Sequence, residues 1–167
     1  MRELLRSLSP PHGNLLTIVR RSESAMESQE SQESSLFQQA MARYQDGVPA
    51  ADLIDDFVAI TEAAPRQSSG WTCLAWLLLL CEKPDDALRS ARMAVKLNGQ
   101  DPQARINLTL AMLETKAKGV RDQIQVVQQV LAVAPEMGEE LRESINDGFK
   151  RRPDWPALLK VKNWLEL

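Results

Sequence analysis

From residue 34 onward, apolar side chains recur three and four positions apart, and short segments rich in Gly, Pro and Asp separate these stretches. Such spacing places the apolar side chains on one helix face, and Gly and Pro mark the turns. The pattern predicts eight helices joined as four antiparallel hairpins. Four of them are expected at residues 35–45, 50–63, 70–81 and 120–134. Three more should begin near Pro84, Pro102 and Pro156, and the eighth should lie around Leu141–Phe149.

The chain also repeats itself at a fixed distance. Phe37, Trp71 and Arg105 are 34 residues apart, and the residues after each of them follow a similar order of small and large side chains. A period near 34 with helical patterning is typical of stacked helix-turn-helix repeats. Such arrays hold partners, so the period favours a binding function over catalysis.

The second hairpin carries the repeated pattern most fully. Its matching positions are Trp71, Leu74, Ala75, Leu78, Ala87, Ala91 and Ala94. These residues resemble the tetratricopeptide repeat (TPR) family, although Arg105 stands where the third hairpin should have a Trp-like residue. The resemblance implies an all-α, right-handed α-solenoid of about four antiparallel helix-turn-helix repeats. The repeats would span residues 34–67, 68–101 and 102–137, with a degenerate cap at 138–167.

Residues 1–33 differ from the rest in composition. Residues 22–35 are nearly all Ser, Glu and Gln, and so few apolar side chains cannot offset the entropy of ordering. This predicts a disordered N-terminal segment. Four arginines outnumber the single acid, Glu3, within residues 1–21, which is also typical of a segment for organellar targeting or surface attachment. The other interpretation is a plain tail or an upstream extension, with Met26 as the natural start.

Composition and motifs exclude several function classes. The net charge of -3 and pI of about 5.3 argue against nucleic-acid binding. The single histidine, His12, lies in the predicted tail, which leaves the folded part without His-based triads or the usual zinc ligands. No phosphate-loop or dinucleotide motif is present. We therefore expect a protein that is not an enzyme and has no cofactor and no metal.

The two cysteines indicate a reducing compartment. Cys73 and Cys81 lie in one predicted helix, and eight positions along a helix span about 12 Å, too far for a disulfide. Both thiols are expected to act as small apolar side chains. A soluble, cytoplasmic protein follows as the expected localisation.

In TPR arrays the first helix of each hairpin lines a concave groove, and the resemblance implies the same here. Residues 71–80 leave the third helix without a polar face. We expect the groove to bind an amphipathic helix or apolar peptide of another protein, with Trp76 as the aromatic anchor. The chain would then be an adaptor, scaffold or assembly factor with a groove exposed in the free monomer. The groove residues are Thr72, Trp76, Leu79, Leu80, Ile106, Leu110, Leu113, Arg142 and Asn146.

The apolar strip, the surface of the third predicted helix that has no polar face, allows other interpretations. The chain's own neighbouring elements, the tail cluster at residues 15–19 or a second copy would each cover it, and the last case describes a self-associating structural module. A third interpretation is a membrane-surface assembly factor recruited through the basic N-terminal segment. The basic run at residues 150–152 is expected to be solvated in a turn, or else to contact phosphate or anionic lipid.

Overall fold

The structure, a computed structural model, describes the backbone of residues 15–167 and the side chains from Arg20 onward. These residues form eight α-helices and one 3-10 helix, with no strand among them, so the predicted all-α class is confirmed. The helices are α1 (Leu15–Gln45), α2 (Ile54–Ala63), α3 (Ser68–Leu80), α4 (Pro84–Leu97), α5 (Pro102–Thr115), α6 (Val120–Val133), α7 (Met137–Arg151) and α8 (Pro156–Leu165), and a 3-10 helix at Ala50–Asp52 precedes α2.

Local sequence explains where several helices begin. Pro84, Pro102 and Pro156 each stand in the first turn of a helix, where a missing N–H removes no helical hydrogen bond. Asp101 caps α5, because its carboxylate accepts a hydrogen bond of 2.9 Å from the backbone N–H of Gln103. These signals are local in the chain, which is why the sequence alone located the helix starts closely.

Helix α1 differs from the prediction. The sequence predicted disorder over residues 1–33, whereas α1 is helical from Leu15. From Arg20 to Leu36 its side chains are exposed apart from Glu33, so the segment buries little, as its composition requires. Its Glu, Gln and Ala residues favour helix, and Gln29 donates a hydrogen bond of 3.0 Å to Glu33 one turn later. Residues 1–14 lie outside the described residues.

The larger of the chain's two compact units is Leu36–Leu167, and α3 and α5 form its centre. Leu74–Leu79 of α3 and Ile106–Met112 of α5 are buried without interruption. Helix α4 packs against both, and small side chains allow this close approach. Of the helices in the described part of the chain, none is long and apolar enough to cross a membrane. The fully buried small residues of α4 are Ala87, Ala91 and Ala94.

The last hairpin, α7–α8, packs against α5 and α6 through α8 and contacts the Trp76 side chain of α3. Gly148 of α7 lies where a Cβ atom would be 2.8 Å from Leu158 Cδ2 and 2.9 Å from Trp76 Cη2. Trp155, which directly precedes α8, is buried, and its ring centroid lies 5.4 Å from that of Trp76. A glycine in mid-helix costs stability in general, so its presence here is explained by the space that the Trp76 ring occupies.

Replacement of Gly148 with alanine is expected to destabilise the fold by about 1–2 kcal/mol, although alanine is the better helix former by about 1 kcal/mol. The added methyl group would overlap Trp76 and Leu158. Gly138→Ala in the same helix is the matched control, because its nearest neighbours would be 3.8 Å away. Urea unfolding measures both. Equal stabilisation by the two substitutions would contradict this packing of α7 on α3.

Candidate binding cleft

The central residues of the predicted groove are buried in the free chain. Trp76, Leu79, Ile106 and Leu110 are between 0% and 8% exposed. They belong to one apolar core that includes side chains of α7 and α8. The expectation that these four residues would be exposed in the free monomer is therefore wrong.

The structure distributes the other five predicted residues over different environments. Thr72 is buried, and its hydroxyl donates a hydrogen bond of 3.0 Å to the carbonyl of Ser68. Leu80 and Leu113 are half-buried against the apolar core. Arg142 is half-buried and Asn146 is exposed on α7, where neither adjoins the remaining cleft described below. Of the nine predicted residues, only Thr72 and Trp76 line that cleft.

The hairpin α7–α8 adds to the cover of α3 that α2, α4 and α5 provide. Since α3 has no polar face, every side of it needs an apolar neighbour. The chain's own neighbouring elements thus cover the strip, which is one of the alternatives that the sequence left open, and no second copy is needed to do so. The buried residues of the hairpin in this shared core are Leu141, Ile145, Trp155, Ala157, Leu158, Val161 and Leu165.

A buried ion pair holds the hairpin against α5. Arg152 and Glu114 have side chains 15% and 16% exposed, and their nearest N and O atoms are 2.6 Å apart. Arg152 also donates a hydrogen bond of 2.9 Å to the carbonyl of Leu79, and Trp155 Nε1 donates one of 3.1 Å to Glu114. Glu114 Oε2 and Arg152 Nε make no hydrogen bond. Such a pair keeps the hairpin in this position mainly because separating the two side chains would leave a buried charge without its partner, which is energetically costly.

A second polar cluster joins α7 to α1. The hydroxyl of Tyr44 donates to Asp147 and accepts a hydrogen bond of 2.8 Å from Trp76 Nε1. Burial first, and then the bond to Asp147, raise the pKa of Tyr44 above its usual value, so the phenol remains a donor. Arg151 lies 3.8 Å above the Tyr44 ring and donates to the carbonyls of Tyr44 and Val48 at 2.6 and 3.0 Å.

These contacts correct the interpretation of the basic run. The sequence predicted that residues 150–152 would be solvated in a turn or would contact an anion. Lys150 is exposed, but Arg151 and Arg152 are largely buried in ion pairs and carbonyl contacts within the chain. The prediction is wrong for both arginines, because they bond to groups on α1, α3 and α5 that are distant in sequence.

Between α1, α3 and α5 on one side and α7 on the other, a half-open cleft of about 500 Å³ remains. Its floor is mainly apolar and comes from the inner surfaces of the first three hairpins. Its opposite wall is formed by α7, whose polar side chains at residues 140, 144, 147 and 151 lie on one face of the helix. The residues lining the cleft are Met41, Tyr44, Gln45, Phe57, Thr72, Cys73, Trp76, Leu77, Gln103, Asn107, Glu140, Glu143, Ser144, Asp147 and Arg151.

The polar groups at the base of the cleft are fixed by hydrogen bonds. Asn107 is fully buried and donates a hydrogen bond of 2.9 Å to the carbonyl of Thr72. It accepts one of 2.8 Å from Gln103. This arrangement holds a rigid polar edge beside the apolar floor, which is the combination that binding pockets use for orientation and affinity.

The thiol in the cleft is poorly suited to nucleophilic chemistry. Burial first, and then the charge of Asp101, raise the pKa of Cys73 to about 12. The thiolate is the reactive form, so almost none is present at neutral pH. Among the residues with described side chains, no three His, Cys, Asp or Glu side chains come together as metal ligands would.

No protein-family model and no curated protein sequence matches this chain. Several solved structures do match it. The crystal structure of MamA shares 13% identity with a TM-score of 0.53, covering 89% of this chain and 84% of that one. The first TPR of Spaghetti (RPAP3) bound to the HSP90 peptide SRMEEVD has 14% identity and a TM-score of 0.47, covering 81% and 94%. YrrB, a TPR protein with an unusual peptide-binding site, has 20% identity and a TM-score of 0.45, covering 90% and 88%.

The likeness to MamA, together with the succession of antiparallel helical hairpins, shows the fold of residues 36–167. It is the TPR-like α-solenoid that the sequence repeat predicted. The last hairpin also contacts the first two hairpins, through hydrogen bonds to Tyr44 and a ring contact between Trp155 and Trp76.

Proposed function

We propose that the chain is a non-enzymatic adaptor that holds a short segment of another protein in the cleft between α7 and the inner surfaces of α1, α3 and α5. The observation that carries this proposal is the cleft itself, an open cavity with an apolar floor and hydrogen-bonded polar edges. Its volume lies within the range of roughly 300–1,000 Å³ that is usual for ligand sites.

The size of the cleft restricts its occupant. A whole helix with its side chains is about 10–12 Å wide and needs a long groove. The cover provided by α7–α8 removes most of the groove that the sequence predicted. A short peptide or a single helical turn that places a few apolar side chains on Met41, Phe57 and Leu77 suits the remaining space.

Blocking the cleft tests this proposal. A phage-displayed library of random dodecapeptides serves as the probe, with the full chain as the bait. Ser144 is half-buried in the α7 wall, so Ser144→Trp should fill the cleft and weaken the recovered peptides about 10-fold or more. Isothermal titration calorimetry with synthetic copies of the recovered peptides measures the change.

Asn146→Trp is the matched control, because Asn146 is exposed on the same helix and does not line the cleft. It introduces the same side chain two positions away and should leave affinity unchanged. Melting temperatures of both variants show whether α7 remains folded. Peptides that bind Ser144→Trp as tightly as the native chain would place binding elsewhere and refute the proposal. Loss of binding by Asn146→Trp would instead restore the predicted role of this face of α7.

A further inference from the structure

The cleft carries an excess of negative charge beside its apolar floor. Glu140 and Glu143 are exposed on the α7 wall, with no ion pair between either of them and a cation of the cleft. Arg151 is the single cation among the described residues that line the cleft, and Asp147 already pairs with it. Two carboxylates at the mouth of the cleft therefore lack a counter-charge within it.

The chain's own Arg151 shows how this site accommodates a cation. Its guanidinium lies over the Tyr44 ring, pairs with Asp147 and reaches two backbone carbonyls. Aromatic faces, carboxylates and carbonyls are the groups that stabilise a partly desolvated arginine. The remaining carboxylates continue the same surface toward the mouth of the cleft, where a second cation would meet Glu140 and Glu143.

We infer that the cleft selects a peptide segment in which a Lys or Arg lies next to a large apolar side chain. This inference rests on the proposed function and names the chemistry of its partner. The apolar side chain would occupy the floor near Met41 and Leu77, and the cation would pair with Glu140 and Glu143. An acidic segment, or a free C-terminal carboxylate, would meet like charge at the mouth and be disfavoured.

The test uses the peptides recovered from the dodecapeptide library by the full chain. Sequences whose recovery is lost with Ser144→Trp are expected to carry more Lys and Arg than the unselected library, beside an aromatic or large aliphatic residue. Glu140→Gln combined with Glu143→Gln should weaken the best such peptide by roughly 3- to 10-fold. The weakening should diminish at high salt, because screening already reduces the attraction between exposed charges.

The control carries the same change of net charge away from the cleft. Glu62 and Glu166 are exposed and do not line it, so Glu62→Gln combined with Glu166→Gln should leave the affinity within about twofold. Cleft-dependent peptides without a basic excess, or with affinity unaffected by Glu140→Gln and Glu143→Gln, would overturn the inference while the proposed function stands. If no recovered peptide depends on Ser144, the proposed function fails and the inference fails with it.

Discussion

Trp76→Glu combined with Leu110→Glu is expected to abolish cooperative folding or to lower the melting temperature by about 15 °C or more. Both side chains are buried in the core shared with α7 and α8. Truncating a buried Trp or Leu already costs about 2–5 kcal/mol, and burying an unpaired carboxylate adds to this. The sum approaches the whole stability of a typical domain, about 5–15 kcal/mol. Circular dichroism during heating measures the effect.

The same chemical change at exposed positions provides the control. Trp164 and Leu159 of α8 are 42% and 51% exposed, so Trp164→Glu combined with Leu159→Glu should cost at most about 2 kcal/mol. A chain that tolerated both pairs equally would mean that Trp76 and Leu110 are accessible to solvent. The groove predicted from the sequence would then be open, and the hairpin α7–α8 would not cover it.

Arg152→Ala is expected to destabilise the chain by about 3–5 kcal/mol, because it leaves the buried carboxylate of Glu114 without its cation. The double variant Arg152→Met with Glu114→Gln should be more stable than Arg152→Ala. Glutamine keeps an acceptor for Trp155 Nε1, and methionine occupies much of the volume of the arginine stem. A double-mutant cycle in urea measures the coupling between the two residues.

Arg142→Ala tests the same pair of residue types at the surface. Arg142 and its partner Glu139 have side chains 43% and 67% exposed, so the loss should be below about 1 kcal/mol. Equal midpoints for Arg152→Ala and Arg142→Ala would contradict the role of the buried pair. A double variant as unstable as Arg152→Ala would show that the loss of other guanidinium contacts, such as the hydrogen bond to the Leu79 carbonyl, explains the effect rather than the unpaired carboxylate.

The sequence predicted the helices and their hairpin pairing because those signals are local. Pro102 after the capping Asp101 locates the start of α5, and the small residues of α4 identify its buried face. It did not predict helix over residues 20–33, because the scarcity of apolar side chains there indicated disorder, whereas side chains one turn apart, such as Gln29 and Glu33, form hydrogen bonds within α1. Residues 20–33 continue the helix that packs on the core from Phe37 onward.

The spacing of apolar residues does not predict where the last hairpin packs. Leu141 and Ile145 show which face of α7 is apolar, but the same face suits a fourth stacked repeat or a cover over α3. Gly148 is the one sequence signal of the close approach, and a lone glycine in a helical pattern is equally compatible with a helix end. The cleft was missed for the same reason, because its α7 wall exists only once the hairpin has folded back.

The hydrogen bonds between α1 and α7 also affect the order in which parts of the chain fold. Tyr44 bonds to Asp147 and Arg151 across 103 and 107 residues, whereas the units of an open repeat array touch only their neighbours and fray independently. Contacts at such separation form late, after the intervening loop has closed. During synthesis, the first two hairpins therefore emerge before the hairpin α7–α8 can cover the Trp76 side chain, which contacts the Trp155 ring. In that interval the nascent chain is most exposed to aggregation or chaperone capture.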